Sequence, residues 1–313
     1  MQRRAVLCGY YGMGNGGDEA LLATLLQMLP PDIEPVVLSK TPQETVRTYG
    51  VRAIDRWRLG EILQVFRRGI GLFGGGGSLI QDSSSWVSPL YYLGLMGLAQ
   101  LWGMGTIAWG QGIGPLKGGL NRGLTKFLLG RCQGVSVRDR ASSALLTGWG
   151  VKHLLAPDPV WAMETGAGPR VGHQPPIVAV NLREHGTLTP DRFETFAAAL
   201  AGFQKTTEAV VWLVPFQASL DLELAERLSA RIPGSVVKLE GNPEALRRLF
   251  DRVDMAIVMR LHGLIMAAAA GARCFALCYD PKVSLVAEAL NISKWELMLE
   301  TVDVDWKSCG ERY

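Results

Sequence analysis

Apolar residues in this chain come in short runs, each closed by glycine, proline or a charged residue, with longer mixed stretches between them. The run 5–8 predicts a buried strand, the loop 9–17 is rich in glycine, and 20–29 predicts a helix. Strands are expected at 35–39 and 51–54, then a helix at 59–68. A strand at 69–73 runs into the glycine turn 74–78. A helix at 89–102 precedes a strand at 106–109, which ends in a third glycine turn, 110–115. A helix at 121–131, a strand at 134–137 closing on Arg138-Asp139-Arg140, a helix up to Trp149 and a strand at 151–155 complete the first half. Strands alternating with helices imply βαβ units and a parallel sheet, with ligands beyond the carboxyl ends of the strands.

Residues 163–176 are rich in Gly and Pro without any period and predict a linker. A second α/β series follows. Strands are expected at 177–182, 210–214, 235–239, 255–259 and 274–278. Helices are expected after Pro190, at 220–230 (Leu220, Leu224 and Leu228 in one stripe) and at 261–270. The chain thus divides into a Rossmann-like domain at 1–165, a linker at 166–176 and a second Rossmann-like domain at 177–313. Two such halves facing across a cleft resemble the GT-B fold of many glycosyltransferases. The segment 301–313 has no clear pattern.

Composition narrows this picture. The 313 residues suffice for two cores, and 48% hydrophobic with 19% charged residues fits a soluble globular protein. A net charge of +3 gives no reason to expect nucleic acid, and the 37 glycines cluster after apolar runs. The five cysteines have no C-x-x-C spacing, so reduced thiols in the cytoplasm are expected. No secretory leader is expected from the N-terminal pattern. The apolar stretch 89–102 is too short for a membrane span and reads as a buried or interfacial helix, with the region from Trp86 to Trp102 as the surface for any peripheral membrane contact.

Candidate chemistry sits at strand ends. In the first loop, glycines let the backbone approach a ligand, Asn15 tolerates unusual backbone conformations, and Asp18 is placed to cap the helix or to meet a ligand. An acid among glycines argues against a pure phosphate cradle. Met259-Arg260-Leu261-His262-Gly263 ends a strand and opens a helix, where anions are favoured. Tyr279-Asp280-Pro281-Lys282 follows the next strand. Arg260, His262 and Lys282 can bind phosphate and supply a proton; equally, Arg260 and Lys282 can pair with Asp254 or Asp280. Arg138 can hold a carboxylate bidentately or serve its own helix. His185 is open to either role, whereas His153 and His173 read as surface and linker residues. The histidines lack metal-ligand spacing, so no metal is expected. Trp86 and Trp109 flank glycine turns and can stack on a sugar.

Together, several motifs resemble the polysaccharide pyruvyl transferase family, most of all its CsaB branch. They are Gly9-Tyr10-Tyr11-Gly12-x-Gly14-Asn15-x-Gly17-Asp18-Glu19-Ala20, Phe73-Gly74-Gly75-Gly76-Gly77-Ser78-Leu79, Gln111-Gly112-Ile113-Gly114-Pro115, Val137-Arg138-Asp139 and Arg260-Leu261-His262. They occur in family order, and Gly16 replaces a commonly larger residue. The resemblance implies transfer of the pyruvyl group of phosphoenolpyruvate to two hydroxyls of one sugar as a cyclic ketal. The implied acceptor is N-acetylmannosamine of a lipid-linked cell-wall polymer precursor. This places the protein in the cytoplasm at the inner face of the membrane, with no cofactor beyond that co-substrate. It further implies Arg138 on the donor carboxylate, Arg260 and Lys282 on the phosphate, His262 as acid–base group and Asp18 on the acceptor hydroxyl. Asn15, Gly17, Gly75, Gly76, Ser78 and Gln111 would shape the acceptor side, with 81–89 as the variable acceptor loop. A GT-B glycosyltransferase using a nucleotide sugar, or a non-catalytic sugar-binding relative, would fit the same fold.

Overall fold

Continuous apolar runs such as Ala5-Val6-Leu7-Cys8 become interior strands of parallel sheets, because helices cover both faces and leave no solvent side. The computed structural model describes residues 3–67, 69–82, 86–165 and 175–298. The expected linker lies largely outside them, as do His173 and the segment 301–313. The chain divides into two units, Met1–Glu164 and Thr165–Tyr313.

The first unit carries β1 (Arg3–Cys8), α1 (Gly16–Met28), β2 (Ile33–Ser39), α2 (Pro42–Tyr49), β3 (Arg52–Asp55), α3 (Leu59–Phe66) and β4 (Gly69–Gly74). There follow β5 (Gly77–Ile80), α4 (Ser88–Leu101), β6 (Gly105–Ile113), α5 (Gly119–Gly130), β7 (Gly134–Val137), α6 (Arg140–Gly148), β8 (Leu154–Leu155) and a 3-10 turn at Pro159–Ala162. The strands form one parallel sheet in the order β3-β2-β1-β4-β6-β7-β8, with β5 on β6. Ile62 of α3, Leu93 of α4 and Leu129 of α5 share one core with Val6, Val36 and Leu72, while Leu22 and Leu25 of α1 cover Ala5 and Leu7 on the other side.

Two expectations change here. The first helix begins at Gly16, so Gly16 and Gly17 are helical rather than part of the loop. Its cap is Asn15, whose Oδ1 accepts from the Gly17 N–H at 3.0 Å, so Asp18 lies inside the helix and does not cap it. The third glycine turn is instead strand: β6 continues through Gln111 because its extension pairs with β5 on one side and β7 on the other. Ser78 likewise stands in β5.

The second unit carries β9 (Ile177–Asn181), α7 (Pro190–Thr207), β10 (Val210–Leu213), α8 (Ala218–Ser229), β11 (Val236–Val237) and α9 (Pro243–Asp251). It continues with β12 (Met255–Val258), α10 (Leu261–Ala269), β13 (Arg273–Cys278), α11 (Pro281–Ala289) and β14 (Ser293–Glu296). Its parallel sheet has the order β11-β10-β9-β12-β13-β14. Thr189 caps α7 through the Arg192 N–H, and Phe196, Leu200, Leu224 and Leu228 fill the core.

In each sheet the chain first winds one way and then the other. The reversals fall between β1 and β4 and between β9 and β12. At such a switch point the two following loops part, opening a crevice beyond the carboxyl ends of the strands.

Two core thiols give a direct check on the packing. Burial pushes the Cys8 thiol up to about 12 and the Cys278 thiol up to about 11. At pH 8 both should resist alkylation in the native protein, by about a hundredfold or more relative to urea-unfolded chain, because only the thiolate reacts. Mass-spectrometric mapping of labelled cysteines reads this; rapid native labelling of Cys8 would contradict the packing of β1.

Candidate functional site

At the first switch point, two glycine loops meet above β1 and β4. Gly75 follows β4 so closely that a Cβ there would stand 1.6 Å from the Tyr11 hydroxyl, a contact only glycine avoids. Gly77 adopts φ +106, and a Cβ on it would lie 3.2 Å from Oδ1 of Asp18. The half-buried Asp18 carboxylate therefore faces the second glycine loop. Gln111 fastens that loop to β6 by donating Nε2–H bonds to the Gly74 carbonyl at 3.1 Å and to the Gly75 carbonyl. It acts as a brace beneath the loop rather than as part of one.

Arg138 closes this cluster. Its Nη1 pairs with Asp158 at 2.5 Å and its Nη2 donates to the Ser78 hydroxyl at 3.1 Å. The two charged side chains are only 7% and 6% exposed, so they satisfy one another out of water. Asp158 also caps the following 3-10 turn through the Val160 N–H. Asp139 serves α6, accepting from the N–H and hydroxyl of Ser142. Asp18, Gly75, Gly76, Ser78, Gln111 and Arg138 thus come together around one loop. Local spacing contains no sign of the partner, Asp158.

Glu19 is a further residue that spacing alone does not mark. It is buried, and its carboxylate accepts from the Gly12 N–H and the Tyr49 hydroxyl, both at 2.8 Å, holding the first loop in shape. Burial raises its pKa above the usual carboxylate range, against the pull of those two hydrogen bonds. Trp109 is half-buried against the Ala5–Leu7–Tyr11 core, while Trp86 is 68% exposed. His153 bonds Ser143 and the Val151 carbonyl, a structural role rather than a bare surface one.

At the second switch point, Asn181 ends β9 and ties three strand ends together. Its Nδ2 donates to the Val214 carbonyl at 2.9 Å and its Oδ1 accepts from the Arg260 N–H at 3.0 Å. Arg260 then turns to Asp221 of α8, with Nε–H and Nη2–H bonds of 2.8 and 2.6 Å. Asp221 is 1% exposed and also accepts from the Phe216 and Gln217 N–H groups. Neither Asp254 nor Asp280 is the partner of Arg260. Asp254 accepts from the Ile177 N–H, and Asp280 caps α11 through the Lys282 N–H.

The fork on Asp221 uses two of the five guanidinium N–H groups and fixes the plane of the rest. Arg260 occupies the cap position of α10 without a side-chain bond to that helix end, and His262 follows in the first turn, half-buried. A helix start of this kind favours an anion. On the neighbouring strand end, Arg183 donates to the Tyr279 hydroxyl at 2.8 Å and lies 5.4 Å from the ring centroid, with His185 4.9 Å from the same ring. Lys282 opens α11 shortly after Tyr279 in sequence. Arg260, His262 and Lys282 therefore occupy adjacent strand–helix junctions, and Arg183 joins them as a cation that the sequence pattern leaves unmarked. Among the described residues, no group of three or more His, Cys, Asp or Glu is placed to hold a metal ion.

Residues 15–281 match the family model of polysaccharide pyruvyl transferases. The chain belongs to that family. No curated protein matches it. In fold, this transferase is similar to the UDP-GlcNAc 2-epimerase of Methanocaldococcus jannaschii, with a TM-score of 0.63 and 9% identity over 94% of this chain and 89% of that one. It is also similar to the UDP-GlcNAc 2-epimerase of Neisseria meningitidis bound to UDP-GlcNAc, with a TM-score of 0.59 and 9% identity over 94% of this chain and 88% of that one. Such neighbours establish a GT-B-like α/β fold.

Two measurements test this geometry. Asp221→Ala strands a buried guanidinium and should cost about 3–5 kcal/mol. The exposed Arg58–Glu61 pair is the control, with Glu61→Ala expected to leave the unfolding midpoint almost unchanged. Urea-unfolding midpoints separate the two. For Glu19, the folded state holds the proton more tightly than the unfolded state. Stability therefore falls as pH rises from the ordinary carboxylate range through the raised value. Glu19→Gln should flatten that segment of the stability–pH curve.

Proposed function

We propose that this transferase moves the pyruvyl group of phosphoenolpyruvate onto two hydroxyls of a sugar, forming a cyclic ketal. The observation that carries this reading is the second switch point. There a fixed arginine fork, a histidine and the start of α10, which has no side-chain cap from Arg260, stand side by side on a strand end. The donor brings a phosphate and a carboxylate, and this junction offers separate cations for each. Arg260 and Lys282 hold the phosphate with the help of the α10 N-terminus. Arg183, backed by Tyr279, holds the carboxylate. Arg138, engaged with Asp158 and Ser78, shapes the acceptor loop instead.

The reaction balances as follows. One sugar hydroxyl adds to C2 of the donor while a proton goes to C3, turning the methylene into a methyl group. A second hydroxyl then attacks C2, the C2–O bond to phosphate breaks, and phosphate departs with the second hydroxyl's proton. His262 delivers the proton to C3, a role suited to an imidazole because it exchanges protons near neutral pH. Cations around the phosphate stabilise the departing charge. Asp18 orients and deprotonates the sugar hydroxyl. This task explains a carboxylate held against a glycine loop. The family points to a polysaccharide acceptor. Within that class we favour N-acetylmannosamine on a lipid-linked cell-wall precursor, handled on the cytoplasmic side.

Phosphate release from phosphoenolpyruvate with a panel of acceptors, including N-acetylmannosamine-capped lipid-linked disaccharides, tests this reading, with a ketal on the product as the decisive sign. His262→Ala and Asp18→Asn should each lower turnover by about 10²–10⁴-fold with unchanged unfolding midpoints. Near-normal turnover in His262→Ala would remove the acid–base assignment. Binding of a nucleoside diphosphate sugar in place of phosphoenolpyruvate would transfer the chain to the glycosyltransferases.

A further inference from the structure

Between Asp82 and Asp139 the chain contains no acidic residue at all, yet it carries Lys117, Arg122, Lys126, Arg131 and Arg138. This interval supplies α4 and α5. Helix α4 has 14 residues and no charged side chain. One of its faces enters the core through Leu93, Met96 and Ala99. Its other side carries no charge either: Val87 at the cap and Leu101 are 50% and 81% exposed, Gly94 is exposed, and half-buried Leu90 and Leu98 lie between them, Leu98 leaning on the core.

Helix α5 lies alongside in the same direction. Asn121 near its start donates to the Trp86 carbonyl, and Gln100 near the end of α4 donates to the Leu128 carbonyl near the end of α5. Its outer stripe presents Leu120 and Phe127, 67% and 59% exposed, and the exposed basic side chains of Arg122, Lys126 and Arg131 flank them. The Arg131 guanidinium sits 5.4 Å from the Phe127 ring centroid. Asp82 is engaged by the Lys117 and Gly118 N–H groups just before α5.

Exposed apolar side chains on neighbouring helices, rimmed by basic ones, mark an interaction surface. At about 1.5 Å per residue, α4 reaches roughly 21 Å and cannot cross a bilayer core. Among the described residues no helix is long and apolar enough to do so. The pattern of aliphatic and aromatic side chains, exposed Trp86 and Trp102, and flanking Arg and Lys is that of helices lying in a membrane interface. In packing against a second copy, the stretch between Asp82 and Asp139 would bring no carboxylate of its own to meet Arg122, Lys126 and Arg131. We propose that the α4–α5 face docks on an anionic phospholipid surface. This does not rest on the reaction proposed above, because binding is read without either substrate.

The test uses the full chain with vesicles of phosphatidylcholine alone and of phosphatidylcholine with phosphatidylglycerol in equal parts, read by co-sedimentation and tryptophan emission. Binding is expected on the anionic vesicles only, with a blue shift and loss of binding at high salt. Arg122→Glu/Lys126→Glu should weaken it at least tenfold, since each basic group near such a surface contributes about fivefold. Leu120→Ser/Phe127→Ser should weaken it too, with unchanged unfolding midpoints in both variants. Equal binding to neutral vesicles, no binding to either, or wild-type binding by the charge-reversed variant would overturn the proposal. So would a dimer in sedimentation that Leu120→Ser/Phe127→Ser dissociates without any vesicle binding.

Discussion

A parallel sheet whose strand order reverses must leave a crevice that no crossover helix covers, and both units are organised around that constraint. Apart from Lys282, which follows the next strand, β13, the residues argued to do chemistry stand on a loop or helix start beside β1 and β4 or beside β9 and β12. The fold thus decides where chemistry is possible, and the residues at those positions decide which chemistry. In the first unit the solution is close backbone approach, with glycines where side chains would collide with Tyr11 and Asp18. In the second it is charge, with an arginine fork set by Asp221 and a peptide anchor from Asn181.

Both units also keep an arginine out of water against an aspartate: Arg138 with Asp158, and Arg260 with Asp221. Burial makes each pair expensive to assemble and more expensive to break. In return each guanidinium has a defined plane and little freedom. For a ligand carrying two separate negative groups, that rigidity matters more than the net stability of the pair, since a mobile cation would lose entropy on binding.

Much of this was legible in the sequence because its signals are local. Glycine clusters after apolar runs mark the two loops of the first unit, and Arg260-Leu261-His262 marks the strand–helix junction of the second. The partners were not legible. Asp158 lies 20 positions from Arg138 and Asp221 lies 39 from Arg260, and only the sheet order brings them together. The stripe Leu220, Leu224, Leu228 even points the wrong way at its start. Leu220 is 50% exposed and Asp221 takes the interior, because its carboxylate is needed by two backbone N–H groups and by Arg260. Helices α2 and α9 fall outside the expected elements although each opens with proline in its first turn, a start signal that polar surroundings obscure. Strand β14 is an edge, with half-exposed Lys294 beside Glu288 and Glu296, and lacks the apolar run that betrays an interior strand.

The fork between Arg260 and Asp221 has an evolutionary corollary. Lysine at 260 would keep the charge but forfeit the two-point geometry, and a neutral residue at 221 would leave a cation stranded in the core. Neither codon is free to drift while the other stays. The two positions are inherited as one character, and descendants that have lost the pair should show both changes rather than either alone.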